Sequence, residues 1–244
     1  RGLGDVYKRQ PRNINRKRFI FSGDQVVYEK FPDSNALLLV LLDVSASEYT
    51  GSVRNKIDAG IDLIRYLGTA CLKRGNLLQV IAFSDKIELE TAVIGNYHSL
   101  EEILSELRAF SPAHHATDCR DALELAFIYA TRPHQPADLI CLVSDLYFPP
   151  SEELQLQLAD LQEAIDIVVI CLQDRIETDS PPTATPILGR DAESGKMVWG
   201  TPPEEIDFLT EIQNLGIDCC FLKTDQTEEM CFFVLNDFFS SRSQ

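Results

Sequence analysis

Two continuous apolar runs, each ending in an aspartate, constrain this chain more than any other feature. Residues 36–43 read Ala-Leu-Leu-Leu-Val-Leu-Leu-Asp and residues 138–145 read Asp-Leu-Ile-Cys-Leu-Val-Ser-Asp. Runs of that length without apolar/polar alternation suit strands buried on both faces, the habit of parallel sheets. Residues 77–83, 165–172 and 217–222 are similar runs. Between them lie segments of helical period. Residues 53–73 carry Ile57, Ile61, Ile64, Leu67 and Cys71 and stop at Gly75. Ser99 with Glu102 reads as a capping box opening residues 100–110. Residues 117–131, 151–162, 204–215 and 227–239 supply the other helices. Residues 87–94 read as a hairpin partner after the Ser84-Asp85 turn, and residues 187–190 and 196–199 flank a second hairpin-like turn. The alternation predicts an α/β fold: a Rossmann-like doubly wound, mostly parallel sheet with helices on both faces.

Charge is unevenly spread. The total is −16, yet residues 1–20 hold seven bases and one acid, a net of +6 that leaves −22 on the other 224 residues. Such a body repels phosphate backbones and anionic membranes, which argues against a nucleic-acid partner and for a metal or a cationic surface. With 45% hydrophobic and 25% charged residues, a disordered chain is excluded. The longest apolar run, residues 36–42, is far short of the roughly 18 residues of a membrane span. Seven cysteines, an odd count without metal-ligand spacing, predict reduced thiols in a cytoplasmic protein. The chain starts at Arg1, which reads as a fragment or processed product; membrane attachment through upstream sequence stays open. Residues 1–10 resemble translated sequencing-adaptor tails and are set aside from fold reasoning. The expected organisation is a basic arm over 1–34 and one domain over 35–244.

In doubly wound sheets, ligands bind at the C-terminal ends of the strands. Three polar clusters fall there: Asp43-Val-Ser45-Ala-Ser47 after the first strand, Thr117-Asp118 at the start of a middle helix, and Asp145 closing a later strand. If the first segment is extended, residues two apart face one way, so a carboxylate and two hydroxyls converge. Hard oxygen ligands suit Mg²⁺ or Mn²⁺ more than zinc. A divalent cation would also relieve the repulsion between two aspartates in a dry cleft. Strand-end acids that only cap neighbouring loops are the plainer alternative.

The ordered set Asp43-x-Ser45-x-Ser47, Thr117-Asp118 and Ser144-Asp145 resembles a von Willebrand factor type A domain. The resemblance implies a metal-ion-dependent adhesion site held by Asp43, Ser45, Ser47, Thr117 and Asp145. A Glu or Asp of a protein partner would complete the Mg²⁺ (or Mn²⁺) shell. Residues 79–85, 116–118, 143–146 and 190–195 are further similar to domain-of-unknown-function family fifty-eight. This is a bacterial branch commonly encoded beside MoxR-type AAA+ ATPases, which implies an adaptor or assembly factor for such an ATPase. The sequence departs from that family at Ala116, at Cys119-Arg120-Asp121, and at Arg12-Asn-Ile-Asn-Arg16. Arg120 in particular stands where it could crowd the site.

His115, Asp118, Tyr147 and Phe148 flank the clusters and are candidates for a partner-contact rim; packed loop residues are the alternative for each. No G-x-S-x-G elbow, Walker loop or G-x-G-x-x-G is present. The expectation is therefore a non-catalytic, metal-dependent protein-binding domain. A phosphohydrolase using the same acids and a metal-free structural domain are the competing readings.

Overall fold

The first apolar run folds as strand β1 (Leu37–Asp43), buried at every position. A computed structural model describes residues 35–112, 116–147, 151–175, 187–190, 197–200 and 207–242. After β1 come a 3-10 turn (Ala46–Tyr49), α1 (Lys56–Lys73), β2 (Leu77–Phe83), β3 (Ile87–Glu90), α2 (Tyr97–Ala109) and α3 (Arg120–Thr131). Then follow β4 (Leu139–Ser144), α4 (Glu152–Ala164), β5 (Asp166–Gln173), β6 (Ile187–Arg190), β7 (Met197–Gly200), α5 (Asp207–Asn214), β8 (Asp218–Lys223) and α6 (Glu228–Ser241).

Six strands form one sheet in the order β3-β2-β1-β4-β5-β8. All neighbours are parallel except β3, which returns antiparallel to β2. The chain leaves β1 first toward β2 and later crosses to β4 on the other side. The boundary between β1 and β4 is therefore the point where strand order reverses, and its C-terminal end is the crevice such sheets use for ligands. β6 and β7 pair antiparallel as a separate two-stranded ribbon, at the place the hairpin pattern indicated.

Alternation along β1 divides the core into two layers. Leu38, Val40 and Leu42 pack with Ile57, Ile61, Ile64 and Leu67 of α1, with Leu100 and Leu104 of α2, and with Leu235 and Phe239 of α6. Leu37, Leu39 and Leu41 pack with Ala122, Leu123 and Ala126 of α3, Leu158 and Leu161 of α4, and Phe208 and Ile212 of α5. Both faces are covered, which is why the strands carry no polar alternation.

Several element starts differ from the sequence expectation. α2 opens at Tyr97, capped by Asn96, whose Oδ1 accepts the Ser99 amide at 2.9 Å. Ser99 thus lies inside the first turn, and the Ser99–Glu102 capping box does not form. α1 begins at Lys56, because Ser52 and Lys56 amides are taken by Asp174 Oδ2 and Thr50 O instead of by helix partners. α3 begins at Arg120, leaving Thr117-Asp118 in the preceding loop. The hairpin partner ends at Glu90, after a register shift at Ala82/Phe83, and the chain beyond it stays on β2 through the Thr91 amide, which donates to Val80 O at 3.0 Å, and the Leu78–Ile94 bridge.

Gly68 sets the spacing of α1 over the sheet. A Cβ there would lie 2.8 Å from Leu100 Cδ1 and 3.0 Å from Leu78 Cδ2. Gly68→Val is expected to lower the unfolding free energy by about 1–3 kcal/mol through overpacking. The urea midpoint reads the loss; an unchanged midpoint would mean that the α1–α2 seam yields freely.

Candidate metal centre

Asp43 is the last residue of β1 and is fully buried. Its two oxygens are held by different elements. Oδ1 accepts the Ser45 amide at 2.8 Å, and Oδ2 accepts the Ser144 hydroxyl at 2.7 Å across the β1/β4 boundary. Ser45 then leads into the 3-10 turn instead of continuing as a strand. The meeting of Ser45 and Ser47, Oγ to Oγ 3.1 Å, comes from that turn and not from the extended alternation expected.

The same turn brings in a residue the sequence analysis missed. In a 3-10 turn, side chains three apart eclipse, and Glu48 stands three residues after Ser45. Glu48 is fully buried; one carboxylate oxygen accepts the Asp145 amide at 2.8 Å, while Oε2 has no hydrogen-bond partner among the described residues. One ligand oxygen from each of Asp43, Glu48 and Asp145 lies within 4.8 Å of the others.

Asp145 directly follows β4. Its Oδ1 accepts the Tyr147 amide at 3.1 Å, and the intervening Leu146 sits at φ 62°, a left-handed conformation uncommon for a branched side chain. The Leu146 amide donates to Ser144 Oγ at 3.0 Å, which holds the turn. Asp145 Oδ2 accepts from the Lys56 ammonium at 2.9 Å, and both side chains are 1% exposed. Lys56 is the second missed residue. It begins α1 in phase with the apolar stripe Gly60, Ile64, Leu67 and Cys71, an anomaly that periodicity alone could have flagged. Its ammonium also lies 5.2 Å from the centre of the half-buried Tyr147 ring, so Tyr147 adjoins the carboxylate cluster.

The Thr117-Asp118 loop reaches the adjoining strand end. The Asp118 amide donates to Ser84 O at 2.9 Å, one residue past Phe83, which is paired with Asp43. Thr117 is half-buried there. Arg120 does not crowd the carboxylates. It forks onto Asp118, at 2.5–3.0 Å, and reaches Glu153 of α4 at 2.7 Å. That pairing holds Asp118 below the usual carboxylate range and occupies it at the surface. His114, His115 and Phe148 lie outside the described residues, as does the Trp199 side chain.

Comparison with known proteins places these features in a group. The family described as "Protein of unknown function DUF58" matches residues 21–203. No curated protein matches the sequence. Among solved structures, the conserved hypothetical protein BatB from Bacteroides thetaiotaomicron superposes with a TM-score of 0.55 at 14% identity, covering 86% of this chain and 99% of its own. A von Willebrand factor type A protein from Catenulispora acidiphila superposes at 0.51 and 13% identity, covering 86% of this chain and 42% of its own. The manganese-loaded TRAP protein of Plasmodium vivax superposes at 0.51 and 14% identity, covering 84% and 73%. The fold is that of the von Willebrand factor type A domain.

Burial pushes the Asp43 carboxyl up to about 7, and the neighbouring Asp145 charge adds to the rise. Burial likewise raises Glu48 well above the carboxylate range, followed by Asp145 and Asp43; Lys56 offsets part of this. The nearby Cys119 and Cys171 thiols are also driven up by burial, so neither is poised as a thiolate nucleophile. A carboxyl raised in the folded state stabilises that state at low pH, and the contribution is lost as pH rises through its folded value. In EDTA, wild-type stability is therefore expected to fall between about pH 4 and pH 7, by up to about 1.4 kcal/mol per pH unit from Asp43. Asp43→Asn should remove that share of the slope. Urea midpoints across the range test this; parallel wild-type and variant slopes would count against it.

Proposed function

The chain belongs to the DUF58 family, and on that premise we propose that it is a non-catalytic protein-binding domain that works through a divalent cation. The observation that carries this reading is the group of buried carboxylates at the β1/β4 boundary: Asp43, Glu48 and Asp145, with carboxylate oxygens within 4.8 Å of one another and Glu48 Oε2 lacking a hydrogen-bond partner among the described residues. The donors are all hard oxygens, as Mg²⁺ and Mn²⁺ require. Asp43, Ser45, Ser47, Thr117 and Asp145 would hold the ion, directly or through water. When bound, the ion offers a Lewis-acid position that a partner's Glu or Asp can take.

The chain's own residues prepare that site in three ways. Ser144 and the Ser45 amide fix the Asp43 carboxylate, so it loses little freedom on binding. Full burial keeps the charges in a low-dielectric setting, where a single charge-dense contact with a partner is strong. Tyr147, beside Asp145, and Asp118, tied to Arg120, stand at the rim and would shape the partner surface; His115 and Phe148 are proposed for the same rim. Through the family resemblance, a MoxR-type AAA+ ATPase is the proposed partner system, with this chain as adaptor or assembly factor.

Thermal unfolding in EDTA and across Mg²⁺ and Mn²⁺ titrations, with Asp43→Ala alongside, tests the reading. A folded-state ligand at 100 times its Kd should add about 2.7 kcal/mol of stability. The wild-type midpoint is expected to rise and the variant's to stay put. Absence of a wild-type shift at millimolar metal would overturn the metal-dependent reading.

A further inference from the structure

The charges in the site suggest how it is held ready. Fully ionised, as a bound cation would hold them, the three buried carboxylates carry three negative charges, and the Lys56 ammonium supplies one positive charge on Asp145 Oδ2. The remainder equals the charge of one divalent cation. The lysine cannot be a bystander, because Asp145 is one of the proposed ligands and Lys56 is bonded to it at 2.9 Å. Glu48 Oε2, in the same cluster and fully buried, lacks a hydrogen-bond partner among the described residues. A buried, unpaired carboxylate oxygen is costly and calls for a donor or a cation.

We propose that Lys56 has two acceptors: it neutralises Asp145 when the cation is absent, and it passes to Glu48 Oε2 when the cation takes Asp145. This deepens the metal-dependent reading and rests on it. Glu48 is then the lysine's second acceptor and not a ligand, and the bound state holds three negative and three positive charges. Because Lys56 also lies 5.2 Å from the Tyr147 ring centre, its transfer alters the contact beneath a rim residue. Metal occupancy would thereby be communicated to the partner-facing surface.

A double-mutant cycle separates these roles. Mn²⁺ affinity is measured by titration calorimetry on the EDTA-stripped full chain, for wild type, Lys56→Met, Glu48→Gln and the double variant. Removing the competing cation should tighten Mn²⁺ binding by about tenfold or more, and Lys56→Met should be less stable than wild type in EDTA. Glu48→Gln should weaken binding when Lys56 is present and have no effect when it is methionine. Equal weakening in both backgrounds would make Glu48 a ligand and overturn the proposal, as would unchanged affinity in Lys56→Met. If wild type binds and the cycle shows no coupling, only the lysine proposal fails. If no variant binds Mn²⁺, the metal reading and the proposal fail together. Should Lys56→Met not fold, the ammonium signal of Lys56 in ¹⁵N-lysine-labelled wild type serves instead: it should move on saturation with Mg²⁺, and a signal that stays in place overturns the transfer.

Discussion

The burial of three carboxylates beside one ammonium, at the dry C-terminal edge of the sheet, is the constraint on which the site depends. Each buried ion costs several kcal/mol of lost hydration. The fold offsets that cost with fixed donors: the Ser45 amide and Ser144 hydroxyl on Asp43, the Asp145 amide on Glu48, and the Tyr147 amide with Lys56 on Asp145. These donors come from the β1 exit, the β4 exit and the start of α1. The cluster therefore ties together the elements flanking the point of strand-order reversal. Replacing such a group by apolar residues is often neutral or stabilising, so its presence speaks for binding more than for stability.

Position in the fold explains why the ionic group can be so dry. β1 and β4 are central strands, covered by α1, α2 and α6 on one face and α3, α4 and α5 on the other. The carboxylates sit just past the strand ends, where no ladder partner is needed and loops converge. The left-handed Leu146 turns the chain sharply after Asp145, so that the Tyr147 amide points back to the carboxylate. The Asp118–Arg120–Glu153 ion pairs lie on the exposed side, in water, and contribute little to stability.

Much of this architecture is legible in the residues. Apolar runs of strand length without alternation suit buried parallel strands, which place their terminal aspartates at one sheet edge; the positions of Asp43 and Asp145 follow from that reasoning. The Asp-x-Ser-x-Ser pattern predicted that the two serines meet, and their hydroxyls lie 3.1 Å apart, though a 3-10 turn and not an extended segment joins them. Boundaries were harder to read. Asn96 outcompeted Ser99 as a cap because its side chain reaches the Ser99 amide. Thr117 fell outside α3 because the Asp118 amide is spent on Ser84 O and its carboxylate on Arg120.

Glu48 and Lys56 mark the limit of reading along the chain. In sequence one is an acid in a polar loop, ordinary on a surface, and the other a base at a helix start, marked only by its phase with the apolar stripe. Local chemistry decided that β1 and β4 are buried strands ending in acids, because period and apolarity act within a few residues. Only the tertiary structure decided that Glu48 turns inward and that Lys56 meets Asp145, 89 residues away. Burial of an ion is acceptable only with its counter-charge in place, and that pairing exists only once α1, β1 and β4 are packed together.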